Sequence, residues 1–304
     1  MKIHVKMWHH ALWNLVQMDS REEWDQLDVV SKWLIATRSA VTVVTIYSCV
    51  IAGLIAWRDG YFSWAPWLIV TLGLFIAHGT NNLLNDLTDY AREVDQGNYF
   101  RMAYGVHPLV QGFWSRRQQI RWLVISGVLA LASGVYALFY TDFAAVIIGL
   151  FLFGALMLIF YFLPLKYYAL GELLIFLIWG PVMISGVYLV LSRGWVDTAW
   201  LAALAGVPFG LSVASINIGK HIDKLEADAA RGVGTLPVRL GEQAARLANI
   251  TVLILAYLVI LYLVFIPRYF TPALLLVFLA GRRFMLAVGV HARPRPPKAP
   301  EDFE

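Results

Sequence analysis

Two short polar segments carry the residues of this chain that could do chemistry. The first acidic segment reads NNLLNDLTDYAREVD over residues 81–95 and contains Asn85, Asp89 and Asp95. Residues four apart lie on one face of a helix, so Asn85 and Asp89 are predicted to be neighbours. Carboxylate and amide oxygens suit Mg²⁺, which takes one or two carboxylates and leaves other positions to substrate phosphates. The segment therefore predicts a Mg²⁺ site.

The second acidic segment mixes carboxylates with bases. It reads NIGKHIDKLEADAARGVGTLPVRLG over residues 217–241, where Asp223, Glu226 and Asp228 alternate with Lys220 and Lys224. Carboxylates hold metal ions, and charged donors such as Lys bind phosphate oxygens strongly. This combination predicts a site for a metal-bound diphosphate.

A simpler interpretation is that both segments are ordinary ends of membrane helices, where charged side chains reach toward water. Two such segments on the same side of the membrane, each followed by a long loop, favour the functional interpretation. Ionisable residues at membrane depth also indicate a functional site by default.

Composition identifies the elements that must position these segments. The chain has 304 residues, of which 60% are hydrophobic and only 14% charged, and its mean hydropathy is +0.65. Soluble domains are about half apolar and about a quarter charged. The sequence therefore predicts an all-α polytopic transmembrane helical bundle of eight spans, with room for a short or re-entrant ninth. The predicted spans are residues 33–57, 65–88, 119–140, 143–163, 171–191, 198–219, 246–266 and 270–290.

Basic residues predict the orientation of the bundle. Cytoplasmic loops are enriched in Lys and Arg, and with eight spans most of these residues fall on the side of both termini. Among the loops on the opposite side we find only Arg58, Arg193 and Arg268. Both termini and both acidic segments are thus expected on the cytoplasmic side, where the active site would open. The sequence pI of about 9.1 reflects this topology and requires no nucleic acid.

The chain divides by composition into three parts. Residues 1–32 are predicted to be a cytoplasmic interfacial segment, 33–292 the transmembrane domain and 293–304 a disordered Pro-rich tail. Cys49 is the only cysteine, which excludes an internal disulfide and a metal site built on several thiolates.

With these motifs the sequence resembles the UbiA superfamily of intramembrane aromatic prenyltransferases. The first motif of that family, N-x-x-x-D with a further Asp downstream, is matched by Asn85, Asp89 and Asp95. The loop that follows usually contains R-P-L-x-x-G. Here it reads H-P-L-V-Q-G from His107, so histidine replaces the arginine.

The second family motif is D-x-x-x-D, followed by a glycine and T-L-P-V-x-L-G. Its final part matches at Thr235–Gly241, but Lys224 stands where the first Asp is expected. Asp223 comes one position earlier. In a continuous helix, the five residues to Asp228 would turn it by about 140°. The two carboxylates share a face only if the helix ends or bulges between them, and Glu226 is the alternative ligand.

The stretch PLKYYALGELLIFLIWGP over 164–181 resembles the menaquinone-type branch, which prenylates dihydroxynaphthoate. The resemblance implies Mg²⁺-dependent transfer of an isoprenyl group from a prenyl diphosphate to a small aromatic acceptor. A dihydroxynaphthoate-like quinone precursor is favoured, and the bacterial inner membrane is the expected location. The family usually has nine spans.

Resemblance and residue chemistry together predict the site residues. The predicted metal ligands are Asn85, Asp89, Asp95, Asp223, Glu226 and Asp228, and all of them except Glu226 are also the catalytic candidates. The substrate-binding candidates are Arg38, Arg101, His107, Lys166, Lys220, Lys224 and Tyr161.

These candidates have different expected roles. Arg101 and the two lysines of the second acidic segment would contact phosphate oxygens, while the ring of Tyr161 would stabilise an allylic cation. Arg38 would either recognise an acidic acceptor or reach toward water. Glu172, at the start of the fifth predicted span, would either position the acceptor or face cytoplasmic water.

Other functions use the same features. A transferase that joins an isoprenyl phosphate to a polar acceptor would share the diphosphate site. A membrane transporter could contain an internal repeat, but its polar residues would lie near the middle of the spans. A non-catalytic scaffold is the third alternative, because the first Asp of the second motif is displaced.

Overall fold

The computed structural model describes residues 3–92, 105–160 and 168–295, with the backbone alone for 158–160. Regular structure in these ranges is entirely helical. The first six helices are α1 (Val5–Trp13), α2 (Arg21–Gln26), α3 (Val29–Ala36), α4 (Ser39–Arg58), α5 (Trp64–Ala91) and α6 (Arg116–Tyr140). They are followed by α7 (Ala145–Phe160), α8 (Gly171–Leu191), α9 (Ala199–Asp223), α10 (Leu225–Ala230), α11 (Leu236–Leu240), α12 (Glu242–Phe265) and α13 (Pro272–His291).

Among the described residues, 7 helices are long and apolar enough to cross a membrane. They are α4, α5, α6, α8, α9, α12 and α13. Helix α7 is equally apolar but has 16 residues, which corresponds to about 24 Å against a hydrocarbon core of about 30 Å. The predicted span 143–163 continues into residues 161–167, which lie outside the described part. The structure therefore supports a polytopic helical membrane bundle.

The first predicted span, residues 33–57, is wrong as a continuous helix. Helix α3 ends at Ala36, Arg38 takes a left-handed conformation with φ of 54°, and α4 begins at Ser39. The Thr37 hydroxyl donates a hydrogen bond to the carbonyl of Trp33 at 2.8 Å, an arrangement that often bends helices. Asn82 Nδ2 satisfies the carbonyl of Thr37 at 2.7 Å.

Two helices extend further than predicted, into the acidic segments. The span predicted at 65–88 is α5, which continues to Ala91, and the span predicted at 198–219 is α9, which continues to Asp223. The polar residues at these two ends are therefore held by regular helical backbone.

The chain forms two compact units. The first contains Met1–Tyr47 and Trp64–Tyr140, and the second contains Ser48–Ser63 and Thr141–Lys298. The described part of the first acidic segment belongs to the first unit, and the second acidic segment belongs to the second unit.

The N-terminal helices form part of the core of the first unit. Trp24 of α2 is 1% exposed. It stacks on Phe113 with ring centroids 5.2 Å apart and meets Trp114 edge-on at 5.6 Å. Asp28 caps α3 by accepting hydrogen bonds from the backbone of Val30 and Ser31, each at 2.9 Å. The described part of the segment predicted as interfacial thus packs against later residues of the first unit.

Close helix contact organises the second unit. A Cβ atom added to Gly210 of α9 would lie 2.4 Å from the carbonyl oxygen of Phe176 in α8. At Gly206 it would lie 2.7 Å from the carbonyl oxygen of Gly180. Small residues allow such approach of helix backbones in membranes. Helix α8 includes a π-helical turn, Ile178–Val182, at this contact.

Candidate active site

The first acidic segment is presented by the last turns of α5. Asp86 is 0% and Asp89 is 7% exposed, while Asn85 is half-buried. Asn85 and Asp89 are one helical turn apart, so the helix brings these two predicted ligands together as neighbours. Asp95 and Arg101 lie outside the described residues.

Arg38 lies against this segment. Its Nη2 atom is 3.0 Å from Asp86 Oδ1, and both side chains are largely buried. A buried carboxylate is tolerated when a cation pairs with it. The structure therefore gives Arg38 a partner that neither sequence interpretation named. Asp86 is not among the predicted ligands. The only local indication that it belongs to the site is its position directly after Asn85, on the adjoining stripe of the helix.

His107 occupies a buried turn of the first unit. Its side chain is 0% exposed, and its backbone N–H donates to Gln111 Oε1 at 2.8 Å. Gln111 Nε2 in turn donates to the Met18 carbonyl at 3.4 Å. The H-P-L-V-Q-G element is thereby fastened to the N-terminal segment. Contact between the imidazole and a substrate would require the turn to open.

The second acidic segment includes a helix break at the position that the motif requires. Helix α9 ends at Asp223, α10 begins at Leu225, and Lys224 links them with φ −98° and ψ 11°. The helix therefore ends between Asp223 and Asp228. Asp228 is 6% exposed, and its Oδ1 atom is 3.4 Å from Lys224 Nζ. Lys220 is exposed on the last turn of α9.

Glu226, the alternative ligand, is in a different environment. Its side chain is 68% exposed and pairs with the guanidinium of Arg295. The hydrogen bond from Arg295 lowers the pKa of Glu226 more than partial burial raises it. Arg295 also donates through Nη1 to the Asp223 carbonyl at 2.6 Å. Arg295 belongs to the predicted tail, of which residues 296–304 lie outside the described part.

Glu172 belongs to the same region of the second unit. It is 4% exposed, so the alternative in which it faces cytoplasmic water is wrong. Its Oε1 atom is 2.7 Å from His221 Nδ1 and accepts a hydrogen bond from Leu236 N at 3.2 Å. Sequence reasoning missed His221, whose signal was a polar residue on the last turn of an apolar helix. Tyr161 and Lys166 lie outside the described residues.

Each acidic segment offers oxygen donors of the kind that Mg²⁺ binds. No group of three or more His, Cys, Asp or Glu side chains that could hold a metal occurs in the described ranges. The first segment instead offers a carboxylate and an amide on adjacent turns, and the second offers carboxylates on both sides of a helix break. Mg²⁺ commonly uses one or two carboxylates and completes its octahedron with water and phosphate oxygens.

Comparison with known proteins identifies the family. The model of the UbiA prenyltransferase family matches residues 46–302. The 1,4-dihydroxy-2-naphthoate octaprenyltransferase of Escherichia coli (strain K12) is 24% identical over 228 residues, which cover 73% of this chain and 72% of that protein. The rat UbiA prenyltransferase domain-containing protein 1 is 24% identical over 191 residues, 62% of this chain and 54% of that protein. The chain thus spans about half the length of this mammalian relative.

A solved structure supports the same fold. The structure described as giving insights into the biosynthesis of digeranylgeranylglyceryl phosphate synthase in membranes matches with a TM-score of 0.53 and 21% identity. The match covers 86% of this chain and 85% of that one. The family match extends over most of the chain and includes both acidic segments, on apolar helices of membrane-spanning length. The protein therefore belongs to the UbiA prenyltransferase family and is an integral membrane prenyltransferase, as the sequence motifs predict.

Proposed function

We propose that this protein transfers the isoprenyl group of a prenyl diphosphate to a small aromatic acceptor in a Mg²⁺-dependent reaction. The observation that carries the proposal is that each acidic segment holds a buried carboxylate, Asp89 on the last turns of α5 and Asp228 on the short helix α10 that follows α9. Mg²⁺ is commonly held by one or two carboxylates, and substrate phosphates fill its remaining positions. Both residues also match the family motifs.

The proposed reaction balances as a substitution at the first prenyl carbon. The bond between that carbon and the diphosphate oxygen breaks, and its electron pair leaves with the diphosphate. The ring of the acceptor supplies the electrons for the new carbon–carbon bond and then loses a proton. Bound Mg²⁺ would supply charge neutralisation for the departing diphosphate.

The side chains divide this work between the two acidic segments. Asn85, Asp89 and Asp95 would hold one metal ion, and Asp228 with Asp223 the other. We favour Asp223 over Glu226, because Arg295 already pairs with the Glu226 carboxylate.

The remaining predicted residues serve the substrates. Arg101, Lys220 and Lys224 would bind phosphate oxygens, and Tyr161 would shield the allylic cation. Lys166 and His107 remain substrate-binding candidates. For Arg38 we favour a role in holding Asp86 over recognition of the acceptor, because the two side chains form a buried pair.

For the acceptor we favour a dihydroxynaphthoate-like quinone precursor, which would place the protein in menaquinone synthesis. Support comes from the similarity to the Escherichia coli octaprenyltransferase and from the 164–181 stretch. We expect the termini and the opening of the active site on the cytoplasmic side of a bacterial inner membrane. The polar-acceptor alternative, which joins an isoprenyl phosphate to a polar group, would share the diphosphate site.

Purified protein in lipid nanodiscs, supplied with a labelled long-chain prenyl diphosphate and Mg²⁺, tests the proposal. The acceptor panel contains dihydroxynaphthoate, a hydroxybenzoate and glyceryl phosphate. We expect prenylated dihydroxynaphthoate, lost on addition of EDTA and restored by Mg²⁺. Product with glyceryl phosphate alone would replace the acceptor assignment by the polar alternative. Metal-independent turnover would refute the proposed role of the carboxylates.

A further inference from the structure

Glu172 lies where an unpaired carboxylate would be costly. It is the second residue of α8, directly after Gly171, and it is 4% exposed at the end of a membrane helix. A buried charge in such a position must be compensated by hydrogen bonds or a counter-charge. The hydrogen-bond partners of Glu172 therefore identify the parts of the second unit that its carboxylate connects.

A single oxygen atom of Glu172 makes both contacts. Oε1 is 2.7 Å from Nδ1 of His221 and 3.2 Å from the backbone nitrogen of Leu236. A carboxylate is an acceptor only, so the tautomer consistent with this geometry carries its proton on Nδ1. Glu172 is consequently bonded to α9 through His221 and to the start of α11 through Leu236.

In the sequence, His221 comes directly before and Leu236 directly after the stretch that contains the acidic residues of the second motif. Residues 222–235, which we name the clamped stretch, lie between them and contain Asp223, Lys224 and Asp228. Inside the stretch the chain is already folded back. The Asp228 N–H donates to the Lys224 carbonyl at 2.8 Å, and the Val233 N–H donates to the Asp228 carbonyl at 2.9 Å.

We propose that Glu172 is a positioning residue that holds the two ends of the clamped stretch together and thereby fixes the carboxylate of Asp228. The ends of a flexible stretch of this length must otherwise be held against loop-closure entropy. A charge-assisted hydrogen bond at each end is well suited to that task. The role in substrate binding rests on the proposed function, whereas the mechanical role does not.

Limited trypsin digestion tests the mechanical role without any turnover. Arg231 is exposed within the clamped stretch, and Arg193 is exposed in the connection after α8. Cleavage of folded protein requires local opening, so its rate reports how firmly each segment is held. We expect Glu172→Gln to raise the rate of cleavage after Arg231 at least about tenfold, since hydrogen bonds to charged groups are lost. Cleavage after Arg193 should not change.

Asp59→Asn is the matched control in the same unit. Asp59 is also a largely buried, paired carboxylate, with Arg58 Nε at 2.7 Å and the Tyr188 hydroxyl at 2.8 Å. Tyr188 lies sixteen residues after Glu172, about 24 Å further along α8. We expect Asp59→Asn to leave the cleavage rate after Arg231 at the wild-type value. Glu172→Asp keeps the charge but shortens the reach, so an intermediate rate is expected.

Three results would overturn the proposal. They are an unchanged rate after Arg231 in Glu172→Gln, an equal increase in Asp59→Asn, and an equal rise after Arg193 in both Glu172 variants. The last would indicate general loss of folding.

Kinetics then tests the consequence for binding. Glu172→Gln should raise the KM for the prenyl diphosphate and the half-saturating Mg²⁺ concentration several-fold, while the KM for the acceptor stays unchanged. A purely structural role would lower the amount of active enzyme and leave these constants alone. If the protein turned over no prenyl diphosphate, the proposed function would fail. The trypsin digestion would still test whether Glu172 holds the ends of the clamped stretch together.

Discussion

The buried pair of Arg38 and Asp86 yields a quantitative prediction. Its atoms are 3.0 Å apart, the Asp86 side chain is 0% exposed and that of Arg38 is 12% exposed. Removing one partner from a buried pair takes away a counter-charge and costs about 3–5 kcal/mol. Replacing both partners by apolar residues avoids that penalty. We therefore expect Arg38→Leu and Asp86→Leu each to lower the free energy of unfolding by about 3 kcal/mol.

The double variant separates this pair from unrelated losses. Arg38→Leu with Asp86→Leu should be destabilised by at least about 3 kcal/mol less than the sum of the single variants, and this difference defines their coupling energy. The assay is reversible unfolding in bicelles titrated with a denaturing detergent, followed by tryptophan fluorescence. Arg38→Lys keeps the charge and controls for the loss of the fork geometry. Effects that add within about 0.5 kcal/mol would refute the reasoning, because independent sites behave that way.

Three further predictions concern other contacts. Burial raises the pKa of Asp28, but the hydrogen bonds it accepts outweigh this and hold its pKa well below 3.8. The depressed pKa adds stability that is fully present above pH 3.8 and is lost as the pH falls through the folded value. The difference in melting temperature between wild type and Asp28→Asn should therefore shrink as the pH falls below about 4. Gly210→Ala would force a backbone carbonyl away from a Cβ placed 2.4 Å from it; we expect a lower melting temperature, whereas Gly154→Ala, with nothing within 4 Å, should leave it unchanged. Arg295→Ala should return the pKa of Glu226 toward 4.5, seen by NMR titration of a ¹³C-labelled Glu226 carboxyl, and an unchanged pKa would contradict the assigned pair.

The sequence predicts the features that are encoded locally. Long apolar runs identify the membrane helices, because a span needs only length and hydrophobicity. The two acidic segments and the T-L-P-V-x-L-G element are contiguous motifs, so the residues alone are enough to recognise the family. The break between Asp223 and Leu225 is predicted only as a condition for the two carboxylates to share a face.

Features that depend on distant residues are not predicted. Hydropathy does not detect a backbone break inside an apolar run, so it predicts a continuous helix through the left-handed turn at Arg38. The pairing of Arg38 with Asp86 joins residues 48 positions apart. The contacts of Glu172 with His221 and Leu236 span 49 and 64 positions. No pattern in a single sequence indicates such pairs.

Binding of a non-reactive prenyl thiolodiphosphate, measured by calorimetry with and without Mg²⁺, tests the central claim most directly. The claim is that each acidic segment contributes a carboxylate to metal-dependent binding of the diphosphate. We predict that binding requires Mg²⁺ and weakens at least about tenfold in Asp89→Asn and in Asp228→Asn, because each loses a charged ligand. Asp197→Asn, which alters an exposed carboxylate elsewhere, should bind as wild type does. Wild-type affinity in either motif variant, with the protein folded, would contradict the account.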